Sequence, residues 1–138
     1  MKETLKPGLV SVLKFRIPES KTVPHLYPES LEFQAMPRVF ATGYMVGLIE
    51  WACMTAINPH LDWPSEQTVG TDVRLTHQAA TPPGMMVTVI VVLQKVEGRR
   101  LVFSIEAHDG IDQITRGSHE RQVIETERFI AKVARKAS

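Results

Sequence analysis

GYMVGLIEWACMTAI, residues 43–57, is an apolar run interrupted by one charge, Glu50. It exceeds the length of an ordinary strand, and Pro59 follows just past its end, so the run reads as a helix. Thr42, immediately before it, is expected to be the N-cap, its hydroxyl accepting from an otherwise orphan backbone N–H. With one charge in fifteen residues this is not an amphipathic surface helix. A helix apolar on all sides must be surrounded by the rest of the chain.

The flanking sequence shows what surrounds it. Upstream, a strand is expected at about Leu9–Ile17, followed by a segment in which Pro18, Pro24, Pro28 and Pro37 allow at most short helical turns. That irregular segment, residues 18–40, also carries Leu26, Tyr27, Leu31, Phe33 and Met36. It reads either as a loop covering one edge of the core or as a lid over a pocket, since long loops in compact domains are often functional. Downstream, Val69–His77, Met85–Val96, Arg100–His108 and Gln113–Ile124 read as strands, separated by turns at Thr81-Pro82-Pro83-Gly84, Glu97-Gly98 and Asp109-Gly110. In the third of these, Leu101, Phe103, Ile105 and Ala107 share one face. The tail, residues 127–138, is expected to form a short helix over Glu127–Lys136, with Phe129, Ile130 and Val133 on one side and basic residues on the other, a solvated docking element. This order predicts an α+β domain in which an antiparallel sheet wraps around one long central helix. That is the hotdog architecture, whose domains usually pair into dimers.

Composition narrows the class of function. A chain of 138 residues with 43% hydrophobic content makes one domain, and no repeat or linker divides it. Sixteen Lys+Arg against fifteen Asp+Glu leave a net charge of +1, without the basic excess of a nucleic-acid binder. No apolar run reaches membrane-span length and MKETLKPGLV has no apolar leader core, so no membrane partner is expected. The single cysteine, Cys53, excludes an internal disulfide framework and fits a cytoplasmic setting. No histidine pair has metal-ligand spacing, and no Gly-x-Ser-x-Gly elbow, Walker loop or Gly-x-Gly-x-x-Gly fingerprint occurs.

Glu50 is the most informative residue. Its helical neighbours at three and four positions are Val46, Gly47, Cys53 and Met54, so no cation on the same helix pairs with it. A buried carboxylate is costly unless partners from elsewhere hold it. It reads as a structural acid or as a catalytic carboxylate, and the catalytic reading is favoured here. At the other end of the helix, Thr42-Gly43 is either an ordinary cap or a place where unpaired N–H groups hold a developing oxyanion, with Gly43 admitting close approach. Gly43 and Glu50 are seven residues apart, about 10 Å along the axis. One copy of the helix cannot serve one carbonyl from both ends, whereas two antiparallel copies can, so function here predicts a homodimer with sites across the interface. His77 ends its strand where an imidazole could reach Glu50 as acid or base. His25, His60, His108 and His119 have no such placement, and Cys53 reads as a small core residue.

With KTVPHLYPES (21–30), VFATGYMVGLIEWAC (39–53), VGTDVRLTHQAATPPG (69–84), VEGRRL (96–101) and GSHERQVI (117–124), the chain resembles the fluoroacetyl-CoA thioesterase family of hotdog proteins. The resemblance implies hydrolysis of a short acyl-CoA thioester, with Thr42, Glu50 and His77 as the catalytic trio. It also implies that Gly70 and Arg121 contribute around the acyl group and that the segment bearing Phe33 is a lid. Met36 stands where the fluoroacetyl-specific pattern has a second lid phenylalanine, which weakens the expectation of strict selectivity for a fluorinated group. Arg121 reads as orienting the acyl end or as a surface partner of Glu120 or Glu125; Arg99, Arg100 and Lys132 are candidate CoA-phosphate contacts. No cofactor is expected beyond the CoA of the substrate. A hydratase or dehydratase of the same fold, and a non-catalytic acyl-CoA binding module, are the competing readings.

Overall fold

The computed structural model describes residues 1–138. Five strands form one antiparallel sheet: β1 (Val10–Arg16), β2 (Glu66–Leu75), β3 (Met86–Glu97), β4 (Arg100–His108) and β5 (Gln113–Glu125), in the spatial order β1-β3-β4-β5-β2. The short helix α1 (Leu31–Gln34), the long helix α2 (Thr42–Ile57) and the C-terminal helix α3 (Thr126–Ala137) complete the chain. The predicted α+β hotdog layout is the one observed.

The core is the layer between α2 and one face of the sheet. Met45, Leu48, Ile49, Ala52, Cys53, Ala56 and Ile57 of α2 are buried against Val87, Val89, Val91 and Leu93 of β3 and Leu101, Phe103, Ile105 and Ala107 of β4. The period-two pattern read in β4 therefore holds residue by residue. Each large side chain buried here contributes about 1.5–3 kcal/mol, so this layer dominates the stability of the fold. The Asp109-Gly110 turn is longer than two residues. Asp109 N–H donates to Asp112 C=O, and the Asp109 carboxylate accepts from the N–H groups of Ile111 and Asp112 and from Thr81 Oγ1.

Three expectations are corrected. First, α2 is not surrounded: Gly43, Gly47, Trp51 and Thr55 are exposed, with Val46, Glu50 and Met54 half-buried beside them. The sheet and the 18–40 segment cover only part of the helix, and a stripe of small and apolar residues faces outward. Second, Thr42 is the first helical residue, and Ala41 in extended backbone occupies the N-cap position with no side-chain cap. Third, β2 begins and ends earlier than read. Beyond Leu75 the chain meets β5 irregularly, through Thr76 N–H to Arg116 C=O and Gln78 N–H to Ile114 C=O, so His77 lies in the following loop.

The irregular segment 18–40 does two things. Its base is pinned by a Thr22–Phe40 bridge and by Val23 N–H to Val39 C=O, with Thr22, Val23 and Phe40 buried. Its outer part holds α1, capped by Ser30 through its hydroxyl to Phe33 N–H, and leaves Tyr27, Leu31 and Met36 exposed. The tail forms the helix α3, on which Ile130 and Val133 stand exposed. No helix is long and apolar enough to cross a membrane.

Candidate active site

Glu50 finds its cation across the fold, not along its helix. Arg121 on β5 donates from Nη1 to Glu50 Oε2 at 2.9 Å. The two members differ in exposure: the Arg121 side chain is 3% accessible, that of Glu50 37%. Arg121 is thus a buried guanidinium, and the reading of it as a surface partner of Glu120 or Glu125 is set aside; Arg100 takes Glu120 instead. Burying a guanidinium is tolerable only when its donors are met. Nε donates to Thr68 Oγ1 at 2.8 Å, Nη2 to the Thr68 carbonyl at 2.9 Å, and Nη1 also contacts His119 Nε2 at 3.1 Å. Thr68 on β2 and His119 on β5 hold the plane of the fork, and Glu50 meets it from the helix side.

Gly70 explains how the carboxylate fits. A Cβ at this position would lie 2.8 Å from Glu50 Oε2, 3.2 Å from His119 Cε1 and 3.4 Å from Arg121 Nη1. The strand register also shifts between Gly70 and Asp72, a bulge beside the pair. Gly70 is therefore a close-approach glycine under Glu50.

The other end of α2 forms a second cluster. Thr42 Oγ1 and His77 Nδ1 are 2.7 Å apart, so the hydroxyl expected to cap the helix is committed to the imidazole. His77 Nε2 is buried without a partner, and burial holds this imidazole below the ordinary histidine range. Within one chain, His77 thus meets Thr42 and not Glu50. Thr42 and Glu50 are eight residues apart, about 12 Å along the axis. Above Gly43 sits Leu26 of the 18–40 segment, whose Cδ1 would be 3.1 Å from an added Cβ. Phe33 stacks on Tyr27 with ring centroids 5.9 Å apart, and Met36 is exposed just past α1.

An apolar cavity of about 350 Å³ lies along the exposed stripe of α2, lined by Phe15, Lys21, Phe40, Tyr44, Gly47, Leu48 and Trp51. A larger concavity of about 790 Å³, lined mostly by polar residues, lies elsewhere, between Asp62–Glu66 and the start of α3, and includes none of Thr42, Gly43, Glu50, Gly70, His77 and Arg121. Arg99 and Arg128 both approach Glu125 beside a groove that also takes in Lys132 and Arg135. Cys53 is fully buried in the core, and burial pushes its thiol up to about 12, which removes it from nucleophilic chemistry.

Sequence reasoning missed His119 and Thr68. His119 has no placement from spacing alone, yet it is 1% exposed and touches Arg121. Its signal was available: two residues before Arg121 on one strand, it must share that residue's face. Thr68 lies just outside the strand expected from Val69, because β2 begins at Glu66.

Residues 20–127 match the family described as fluoroacetyl-CoA-specific thioesterase. The chain is 54% identical over 136 residues to the fluoroacetyl-CoA thioesterase of Streptantibioticus cattleyicolor, covering 99% of this chain and 97% of that one. A mutant of a fluoroacetyl-CoA thioesterase solved in complex with acetyl-CoA superposes with a TM-score of 0.94 at 52% identity, over 97% of this chain and 100% of that one. A thioesterase superfamily member from Thermus thermophilus superposes with a TM-score of 0.84 at 27% identity, over 98% and 95% of the two chains. The glutamate held by a buried arginine, the Thr-Gly start of the same helix and the hotdog sheet thus occur in a chain that belongs to the fluoroacetyl-CoA-specific thioesterase family, enzymes that hydrolyse an acyl-CoA thioester.

Proposed function

We propose that this chain hydrolyses short-chain acyl-CoA thioesters, with fluoroacetyl-CoA-type substrates the leading candidates, to the free acid and CoA. The observation that carries the reading is the half-exposed Glu50 carboxylate held by the buried Arg121 on the outward stripe of α2. One carboxylate oxygen is engaged by the arginine, which leaves Oε1 to act. Similarity to enzymes of this name over nearly the whole chain supports the thioester as substrate.

The working unit is a homodimer. Gly43 and Glu50 lie about 20° apart around the helix, so both sit on the outward stripe but too far apart along it to reach one carbonyl carbon. Two α2 helices packed antiparallel through Gly43, Gly47 and Glu50 bring the Thr42–His77 end of one chain to Glu50 of the other. The small residues Gly43 and Gly47 permit that approach, and burial of Trp51 and Val46 against the second copy stabilises it.

In such a site the α2 N-terminus around Gly43 polarises the thioester carbonyl, with the Thr42 hydroxyl nearby and bonded to His77. Glu50 attacks the carbonyl carbon to give a mixed anhydride and the CoA thiolate, and water then cleaves the anhydride; alternatively, Glu50 takes a proton from water, which attacks directly. Either route consumes one water and releases the acid and CoA. His77, neutral near pH 7, takes up the proton that the attacking water gives up, directly or by way of Glu50, and passes it to the CoA thiolate. Phe33 and Met36 close over the acyl group, and the half-exposed, flexible Met36 gives looser discrimination than a second aromatic ring. No cofactor enters beyond the CoA of the substrate. The one buried cysteine fits a cytoplasmic setting.

The test is free-thiol release over acetyl-, fluoroacetyl-, propionyl- and longer acyl-CoAs, with sedimentation to read the assembly. Release with the two-carbon substrates by a dimer supports the proposal. No release from any of them overturns it in favour of a binding module, and water addition to an enoyl-CoA overturns it in favour of a hydratase.

A further inference from the structure

His119 takes no part in the chemical steps above, yet its hydrogen bonds define its chemical state. Its Nδ1 is 2.8 Å from the backbone carbonyl of Asp72. A carbonyl only accepts, so Nδ1 carries a proton. Its Nε2 is 3.1 Å from Arg121 Nη1, a group that only donates, so Nε2 carries none. One protonation state satisfies both contacts, the neutral Nδ1–H tautomer. We propose that His119 is a positioning residue, a neutral imidazole whose Nε2 accepts from Arg121 and so holds the guanidinium against Glu50. This rests on the reading of Glu50 and Arg121 as the working pair.

The surroundings keep the ring in that state. Four elements face it: β2 through Asp72, whose carboxylate is bound to Arg74; β5 through Arg121; α2 through Glu50; and β4 through the apolar Phe103 directly opposite. Burial and the Arg121 charge lower the affinity of the ring for a second proton, the Asp72 carbonyl and the carboxylates of Glu50 and Asp72 raise it, and the net displacement is downward. A protonated His119 would direct an N–H at a guanidinium N–H, break the contact and place two buried cations side by side. Arg121 Nη1 has two hydrogens, one for Glu50 and one for His119; losing the second frees the fork to rotate about its remaining bonds to Thr68. A misplacement of about 1 Å at such a group lowers turnover by up to about 10²-fold.

Two substitutions separate this role from core filling. In H119Q the amide oxygen reaches the Nε2 position and still accepts from Arg121, whereas in H119N the shorter amide reaches only Asp72. The expected result is a fall in kcat of about 10-fold or more for H119N with KM little changed, and near-normal kcat for H119Q. H119Q should also lose whatever part of the acid limb of kcat/KM the imidazole supplies. Two readouts need no activity: the long-range 1H–15N spectrum of His119 at pH 7, expected to show the Nδ1–H tautomer, and exchange of Arg121 Nε–H, expected to be slow in wild type and H119Q and faster in H119N. Equal kcat and equal exchange in H119N and wild type would overturn the proposal, as would an Nε2–H tautomer or an imidazolium at pH 7. Should H119N not fold, H119Q with the tautomer measurement decides. Failure of wild type to hydrolyse any acyl-CoA would sink the functional reading instead, leaving the tautomer and exchange results to judge the clamp.

Discussion

Arg121 and Glu50 pair at 2.9 Å with the cation buried and the carboxylate half in solvent. The arginine is the fixed member, held at Thr68 and His119, and the glutamate is the member free to meet substrate. That asymmetry separates stability from activity at the two positions.

Glu50→Gln keeps an acceptor for Arg121, so the buried guanidinium stays partnered and the fold is little affected. Turnover loses the carboxylate and should fall by about 10²–10⁴-fold. Arg121→Ala removes the fork, empties its site and strands the acceptors of Thr68; it should lower both activity and stability, the latter by about 2–4 kcal/mol. Thiol release and urea unfolding of the two variants check this pair.

Gly70→Ala and Gly43→Ala should part company in the same way. The first drives a Cβ to 2.8 Å from Glu50 Oε2 and must displace the carboxylate. The second meets only the end of the Leu26 side chain, at 3.1 Å, and in the first turn of the helix gains less than the ~1 kcal/mol of an interior Gly-to-Ala change against that contact. We expect Gly70→Ala to be less stable than wild type, Gly43→Ala to match or exceed it, and both to lose kcat. Thermal melts alongside kinetics decide.

Because Ala41 and not Thr42 is the N-cap, Thr42→Val should cost much less than the ~1 kcal/mol of a lost cap. Its effect should fall on turnover, through the bond to His77, and Thr42→Ser should retain most activity. A melting loss as large as that of a true cap would contradict the assignment.

Stability should fall on the acid side. His77 and His119 both have their pKa lowered in the fold, chiefly by burial. The unfolded chain therefore binds protons first as the pH drops below about 6.5, and native stability declines from there until the pH passes the folded-state values. Above that window neither group contributes a slope. Unfolding free energies measured between pH 7.5 and 5 should show the decline, and H119Q should make it shallower.

Cys53 should resist alkylation in the native protein at pH 8 and react at once in denaturant, since it is fully buried and its thiol is pushed up to about 12. Mass spectrometry after iodoacetamide treatment reads this directly.

Residues 43–57 contained what local periodicity can carry: a helix, its length, and a glutamate with no cation within reach on the same helix. Alternation did the same for β4, and the hotdog order followed from the elements in sequence. These are properties of neighbours, governed by fixed repeats of 3.6 and 2 residues. The partner of Glu50 stands 71 positions away, and its pairing depends on the registers of β5 with β2 and with β4, which irregularities at Gly70/Asp72 and Ala107/His108 shift. Only the folded sheet decides whether Arg121 points to solvent or to the helix, that a glycine at position 70 leaves room for the carboxylate, and that His119 rather than His77 stands beside it within the chain. The helix start shows the same division: Thr42 has the chemistry of a cap, but the hydrogen-bonded ladder begins one residue early and gives its hydroxyl to His77. Sequence specified the charged group and the element that carries it; tertiary structure chose its partners, because contacts between distant segments are set by packing and register, not by spacing along the chain.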